Sequence, residues 1–188
     1  MPTRWDIIGH GDVTEQLAEA AASRTPGHAY LFSGPRHLGK ATVARKFAEA
    51  LLCERGEGCG TCSHCLLMAS GNHPDLIELP RDDKLTIAQV RELRHALTLK
   101  PHSAAFRVGI VPDAERLGIP AQNALLKLLE EPPPKTVLIL TAPSAGHLLP
   151  TTVSRCRQLR FTRPAAADLA MALADHGTRA AEAVRAGG

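Results

Sequence analysis

The chain has 188 residues, of which 44% are hydrophobic and 22% are charged. These values are close to the averages of soluble globular proteins and exclude a disordered or collagen-like chain. The length fits one domain, or one domain with the beginning of another. The formal net charge of +3 is too small to indicate nucleic acid by itself, and aromatic residues, at 3%, are too few to favour a base-stacking surface.

The sequence contains no apolar run that approaches the ~20 residues of a membrane span. Its N-terminal segment also lacks the apolar stretch of a secretory signal. We therefore expect a cytoplasmic protein. In that compartment, five cysteines favour a metal site or free thiols over disulfides.

Short apolar runs alternate with amphipathic stretches of helical length along the chain. This alternation predicts an α/β fold in which helices cover both faces of a parallel sheet. A first helix is predicted at 13–24. Strands are predicted at 29–33, 75–79, 106–111, 136–142 and 157–161. Because 106–111 and 136–142 lack alternating polar residues, we expect these two to be central strands buried on both faces.

Further helices are predicted between and after the strands. One spans 41–52, and another begins at Thr86, which forms a capping box with Gln89. A helix at 121–131 ends at three consecutive prolines, which cannot continue it. The alanine-rich segment 165–188 is expected to form one or two short helices.

A phosphate-binding pattern follows the first predicted strand. Gly34, Gly39 and Lys40 form G-x-x-x-x-G-K between that strand and the helix at 41–52. Glycine lets backbone N–H groups converge on phosphate oxygens, the helix N-terminus adds partial positive charge, and the lysine reaches the outer phosphates. The context predicts a phosphate loop. A glycine turn without nucleotide, or a loop that holds phosphate or sulfate without turnover, stays open.

Two residues that would seat a magnesium ion are missing. The residue after Lys40 should be Ser or Thr but is Ala41, and Thr42 substitutes poorly because one helical step rotates it by about 100°. After the third strand, Pro112 stands where a metal-supporting Asp is expected, and Asp113 where the water-activating acid is expected. We therefore expect little nucleotide hydrolysis. The exception would be a one-residue shift in the register of the strand, which would return Asp113 to the metal position.

Four cysteines with the spacing C-x5-C-x2-C-x2-C follow the helix at 41–52. Four thiolates this close can surround one Zn²⁺ tetrahedrally and leave no open position for substrate. The segment therefore predicts a loop-rich structural zinc module at 53–65, since two local disulfides would conflict with a cytoplasmic location. His64 is either an alternative donor or simply exposed. The predicted ligands are Cys53, Cys59, Cys62 and Cys65.

Arg155 precedes the last predicted strand and is followed by the fifth cysteine, Cys156. An arginine at the edge of a nucleotide-binding domain can stabilise charge on a phosphoryl group in a neighbouring subunit. From spacing alone, a solvated arginine with its stem packed on the surface is the simpler interpretation. Because Arg157, Arg160 and Arg163 lie nearby, a phosphate-binding stripe is another. Cys156 is expected to be a small buried residue.

In their order and spacing, these motifs resemble the clamp-loader branch of the AAA+ ATPases. The resemblance runs from about Trp5 to Phe161 and rests on WDIIGH, HAYLFSGP with the phosphate loop, the four cysteines, GNHPDLIEL, TIAQVRELRHAL, AQNALLKLLEEPP and LLPTTVSRC. Within that family, the chain is more similar to a non-motor subunit of bacterial DNA polymerase III, whose nucleotide site is often decayed, than to the gamma/tau motor subunits. The first cysteine gap is shorter than the family's usual one.

The resemblance implies a three-layer AAA+ (RecA-like) domain at 1–162, with a central five-stranded parallel sheet and the zinc module at 53–65. The beginning of a helical lid would follow at 163–188, truncated and without the collar domain. The family's Ser-Arg-Cys motif matches Ser154, Arg155 and Cys156, which makes Arg155 an arginine finger that acts in trans. The phosphate or nucleotide contacts would come from Gly34, Gly39, Lys40, Thr42 and Asp113.

Three functions follow from these observations. The first is a bacterial clamp-loader subunit that does not hydrolyse ATP itself and lends Arg155 to a neighbouring ATPase subunit during loading of the sliding clamp onto primed DNA. Its partners would be the gamma/tau and delta subunits, the clamp and, through the complex, DNA. The second is an ATP-hydrolysing motor subunit of the gamma/tau type. The third is a zinc-stabilised adaptor without a nucleotide role.

Overall fold

The computed structural model describes residues 5, 7, 9–81, 85–164 and 174. In this part of the chain, five strands form one parallel sheet in the order β2-β3-β4-β1-β5. The strands are β1 (Ala29–Ser33), β2 (Leu76–Glu78), β3 (Arg107–Val111), β4 (Thr136–Ala142) and β5 (Arg157–Arg160). The α/β fold and the parallel sheet that the apolar runs predicted are confirmed.

Six α-helices accompany the sheet in the described residues. They are α1 (Gly11–Ala22), α2 (Lys40–Leu52), α3 (Ser63–Ala69), α4 (Ile87–Thr98), α5 (Ile119–Glu130) and α6 (Pro150–Val153). Short 3-10 helices lie at Ala114–Arg116 and Ala145–His147. No described helix has the length and apolar character needed to cross a membrane.

Two hydrophobic cores lie on opposite faces of the sheet, because neighbouring side chains of a strand point in opposite directions. In β1, Phe32 packs in the core that includes Leu17 of α1 and Phe47 of α2. Leu31 instead packs in the core that includes Leu93 of α4 and Leu125 of α5. Helices on both faces of a central sheet give the three layers that the sequence predicted.

The central strands are the apolar ones, as expected. All seven residues of β4 are buried, and four of the five residues of β3 are. At α4, the capping box between Thr86 and Gln89 is present: the Gln89 amide donates to the Thr86 hydroxyl, and the Thr86 amide donates to the Gln89 side chain.

Two local expectations differ from the structure. The segment predicted to be loop-rich contains α3, so Cys65 lies on a helix. The first helix begins at Gly11, earlier than predicted, and ends at Ala22 because Arg24 adopts a left-handed conformation with φ 58°. The predicted lid at 163–188, with its alanine-rich helices, lies outside the described residues apart from positions 163, 164 and 174.

Candidate functional site

The phosphate loop, residues 34–40, joins the carboxyl end of β1 to α2. Gly34 has φ 153°, and a Cβ at this position would collide with the carbonyl oxygen of Phe161. Gly39 has φ 77° and caps the N-terminus of α2. Both conformations favour glycine, so the two glycines of the motif are fixed by the backbone path of the loop.

Lys40 is buried at the centre of this loop. Its Nζ donates hydrogen bonds to the carbonyl oxygens of Gly34 and Pro35, each at 2.6 Å. Burial lowers the pKa of Lys40, and the negative charges of Asp113 and Glu115 oppose that lowering. The structure therefore brings the predicted lysine and Asp113 into one electrostatic site.

The predicted magnesium seat lacks oxygen ligands at the two expected positions. Ala41 lies in the first turn of α2 and has no hydroxyl, and the side chain of Thr42 is exposed to solvent. Pro112 follows β3 directly and is buried. Asp113 comes next, with φ 49°, and its backbone N–H donates to Thr141 Oγ1 at 3.0 Å. The structure thus brings the Asp113 charge close enough to act on the lysine.

Glu115 is a site residue that the sequence analysis did not single out. Its side chain is only 10% exposed, and Oε1 lies 3.2 Å from Nη2 of Arg36, on the phosphate loop. Its other oxygen, Oε2, is buried and has no hydrogen-bond partner among the described residues. A second carboxylate therefore faces the phosphate loop. The only sequence signal was an acidic residue two positions after Asp113.

The four predicted zinc ligands lie together in space. Their Sγ atoms all fall within 4.8 Å of one another, and Cys53 and Cys62 are separated by 3.9 Å. Tetrahedral coordination at about 2.3 Å per bond requires sulfur atoms about 3.8 Å apart. All four cysteines are free thiols. The donor set and its spacing therefore fit a tetrahedral metal site made by Cys53, Cys59, Cys62 and Cys65.

The thiols of this cluster differ in acidity. Hydrogen bonds from the Thr61 hydroxyl, and from the Thr61 and Cys62 amides, lower the pKa of Cys59 to about 6. Burial raises the pKa of the Cys65 thiol. Since metals bind thiolates, binding at this site would release a proton from Cys65, and affinity would depend on pH.

His64 is buried, not exposed, and contacts a second histidine. Its Nδ1 lies 3.0 Å from Nε2 of His73, and His73 Nδ1 accepts from the Asp75 backbone N–H at 3.0 Å. The Asp75 carboxylate in turn accepts backbone N–H groups from residues 102–104. His64 Nδ1 is therefore engaged by this network, which links α3 to the start of β2.

Arg155 is held by two contacts within the chain. Nη2 lies 2.9 Å from Oε1 of Glu130, the last residue of α5, and Nη1 donates to the Thr151 carbonyl of α6 at 2.8 Å. Its side chain is 35% exposed. Cys156 is buried, and burial raises its pKa to about 12. Arg157 Nη2 donates to the Gln16 side chain at 3.2 Å.

Arg155 and the phosphate loop lie at opposite edges of the sheet. β5 runs parallel to β1, with Arg157 beside Tyr30, so Arg155 lies at the amino-terminal edge. The phosphate loop leaves the carboxyl-terminal edge at Gly34. The five residues of β1 span about 16 Å, so Arg155 is too far away to serve the phosphate loop of its own chain.

The fold and these motifs define an AAA+-type α/β domain with a four-cysteine cluster whose geometry fits a metal ion. The family described as "DNA polymerase III, delta subunit" matches residues 9–165, and the chain belongs to this family. The non-motor subunit that the sequence analysis favoured is the delta-prime type. A relative of that name, subunit delta' of Pseudomonas aeruginosa, is 39% identical over 82% of this chain and 50% of its own length.

Subunit tau of Bacillus subtilis is 36% identical over 84% of this chain and 29% of its own length. Among solved structures, a gamma subunit-related protein of DNA polymerase III from Thermotoga maritima has 25% identity and a TM-score of 0.64, covering 80% of this chain and 46% of that one. The RuvB Holliday junction branch migration motor of Thermotoga maritima has 19% identity and a TM-score of 0.53 over 86% of this chain and 47% of that one, and it shares the fold. The chain thus spans at most half of these proteins.

Proposed function

We propose that this chain is a clamp-loader subunit of the DNA polymerase III holoenzyme that does not hydrolyse ATP itself. It would present Arg155 to the ATP site of a neighbouring gamma/tau subunit, and so assist loading of the sliding clamp onto primed DNA. The delta subunit would be a further partner in the same complex. Family membership and the delta' and tau relatives support the assignment to the clamp loader, without separating its two kinds of subunit. The free thiols agree with the expected cytoplasmic location.

The observation that carries the proposal is the position of Arg155 at the amino-terminal edge of the sheet, opposite the phosphate loop. A guanidinium there can reach a triphosphate only if the triphosphate belongs to another subunit. Its planar fork of N–H donors and its permanent charge suit it to charge that develops on the transferred phosphoryl group. Arg155 would therefore act in trans, as a finger for the neighbour.

The state of the chain's own phosphate loop supports the first half of the proposal. Gly34, Gly39 and Lys40 lie in a strand–loop–helix arrangement that would suit a phosphate group. Ala41 and Pro112, however, offer no oxygen ligand where a magnesium ion between the outer phosphates would need one. We infer that the loop, with Thr42 and Asp113 at its border, holds phosphate groups without rapid turnover.

We assign the four-cysteine cluster as a structural zinc site. Cys53, Cys59, Cys62 and Cys65 would supply four thiolates, and a closed set of four ligands leaves no position for a reacting water. The metal would tie the end of α2 to the start of α3, since Cys53 caps α2 and Cys65 lies on α3. We assign residues 1–162 to the nucleotide-binding-like domain that contains this module, and 163–188 to the lid.

An ATP-hydrolysing motor subunit is the second candidate. It is favoured by the 36% identity to subunit tau over 84% of the chain, and by the proximity of Asp113 to the buried Lys40. Under this alternative, Asp113 would act as the base and water would complete the metal shell. ATP hydrolysis by the isolated chain that Lys40→Ala abolishes would support the motor and contradict our proposal.

The trans role is tested in a clamp loader reconstituted with the motor subunits, the clamp and primed DNA. Arg155→Ala is expected to slow hydrolysis at the site that faces this chain by about 10³-fold or more, visible as a lost fraction of the rapid, single-turnover phase. Arg157→Ala is the matched control, because Arg157 is exposed two positions away. An unchanged rapid phase, in complexes shown to contain the variant, would remove the proposed role.

The zinc assignment is tested by metal analysis of the purified protein. We expect about one zinc per chain and its loss in Cys62→Ser, whereas Cys156→Ser, which changes the buried fifth cysteine, keeps the metal. Another metal, or full zinc content in Cys62→Ser, would contradict the assignment.

A further inference from the structure

Arg155 has an intramolecular partner that the proposed function does not explain. Glu130 Oε1 lies 2.9 Å from Nη2 of Arg155, and the carbonyl of Thr151 accepts from Nη1 at 2.8 Å. We propose that Glu130 is a positioning residue, which orients the Arg155 guanidinium towards the neighbouring subunit. This inference rests on the proposed trans role of Arg155 and adds the residue on which its orientation depends.

The contacts leave the guanidinium able to bind phosphate. An arginine side chain carries five N–H donors in a planar fork. The hydrogen bond to Thr151 uses one donor, on Nη1, and the ion pair places Nη2 beside the Glu130 carboxylate. Three N–H groups, including that of Nε, can still face a second anion. Glu130 and Thr151 therefore restrict the orientation of the fork without exhausting its donors.

The two partners lie on α5 and α6, and α5 is packed in the core. Glu130 ends α5, whose Leu125 and Leu129 are buried in the core against the sheet. α5 is also tied to the segment before α6, because the Leu149 backbone N–H donates to the buried Gln122 side chain at 2.8 Å. Thr151 lies in α6 itself. The long side chain of Arg155 is thus contacted at two points, one on α5 and one on α6.

The ion pair contributes little to folding, which separates a positioning role from a structural one. The side chains of Glu130 and Arg155 are 49% and 35% exposed, and such exposed pairs add little to stability. Orientation matters far more for catalysis, since a displacement of about 1 Å in a reacting group can lower a rate by about 10²-fold. Removal of Glu130 should therefore affect the neighbour's turnover and leave the fold intact.

The test compares Glu130→Gln with the matched control Glu131→Gln, which removes the same charge at the next, exposed position. Both are assembled with the motor subunits, clamp and primed DNA, and each variant's thermal unfolding is checked. We expect Glu130→Gln to lower the kcat of the site that faces this chain roughly tenfold, with an unchanged KM for ATP because Glu130 does not contact nucleotide. Glu131→Gln should match the wild type.

A double variant shows whether Glu130 acts through Arg155. In the Arg155→Ala background, Glu130→Gln should have no further effect, because the group that it orients is gone. An equal loss in both backgrounds, a rise in kcat, or a Glu130→Gln rate equal to that of Glu131→Gln would overturn the inference. If Arg155→Ala lowers the rate and Glu130→Gln does not, only the positioning role fails. If Arg155→Ala itself has no effect, the trans role fails, and the positioning role fails with it.

Discussion

Charged side chains are held by specific contacts at both edges of the sheet, but the two edges differ in the functional groups that they offer. At the carboxyl-terminal edge, the phosphate loop keeps its glycine conformations and a buried Lys40, yet Ala41 and Pro112 have no ligand oxygen for magnesium. At the amino-terminal edge, Arg155 is charged, partly exposed and held by Glu130. Under the proposed function, the domain keeps the fold of an ATPase while its contribution to hydrolysis comes from Arg155, at the edge opposite its own phosphate loop.

The largest expected effect concerns the support of the amino-terminal edge. Leu125→Ala removes a fully buried side chain from α5, and we expect a loss of about 3 kcal/mol in the free energy of unfolding. Leu126→Ala, in the same helix but only partly buried, should cost clearly less. Urea unfolding measures both. Equal losses would mean that α5, which carries the Arg155 partner Glu130, is not anchored in the core through Leu125.

The second prediction concerns a variant in which the two missing magnesium ligands at the carboxyl-terminal edge are restored. Ala41→Ser combined with Pro112→Asp would supply a hydroxyl and a carboxylate for magnesium, whose charge stabilisation is worth several kcal/mol. We expect magnesium-dependent ATP hydrolysis by the isolated chain to rise about 10²-fold. Thr42→Ser, at the exposed neighbouring position, is the control. No gain in a folded double variant would show that more than the metal seat has been lost.

A third, smaller effect is expected at Glu115. Its carboxylate faces Lys40 and the loop residue Arg36, so it opposes the approach of a negatively charged phosphate. Glu115→Gln should tighten the binding of ATP by about fivefold, which corresponds to about 1 kcal/mol for one screened charge. Glu54→Gln, at an exposed position outside the loop, serves as the control. Weaker or unchanged binding, measured by titration calorimetry, would contradict this role.

The smallest effect is a pH dependence from the buried histidine pair. Burial and the neighbouring His64 lower the pKa of His73, and Asp75 opposes the shift. A histidine with a lowered folded-state pKa stabilises the fold above its unfolded pKa of about 6.5, and this stability is lost as the pH falls through the folded value. Unfolding free energies at pH 8 and pH 5 should therefore differ more in the wild type than in His73→Gln. An equal difference in the two proteins would exclude His73 as the cause of the pH dependence.

The fold was largely predictable because its sheet is parallel and buried. Strands such as 136–142 are continuous apolar runs. The capping box of Thr86 and Gln89 and the proline stop after α5 are likewise local signals. Helix α3 was missed because it has only seven residues and follows a glycine-rich cysteine segment, where no helical period can develop. The cysteine cluster was predictable because all four ligands lie close in sequence.

The rest of the site depends on contacts between distant residues. The pair between Arg155 and Glu130 joins a helix end to a segment beyond the next strand, and no local pattern indicates it. Glu115 and Arg36 likewise meet only because β1 and β3 end at the same edge of the sheet. The burial of His64 depends on His73, which follows α3. Sequence patterns identified candidate residues, but their partners required the folded chain.

The most direct test compares both edges in one reconstituted clamp loader. Lys40→Met keeps an apolar stem in the phosphate loop and removes its charge, whereas Arg155→Ala removes the charge at the opposite edge. The account predicts that ATP hydrolysis stimulated by clamp and DNA stays within about twofold of the wild-type rate in Lys40→Met. In Arg155→Ala, it should lose the contribution of the neighbouring subunit's ATP site that faces this chain. Loss of hydrolysis in Lys40→Met, with a normal rate in Arg155→Ala, would contradict it.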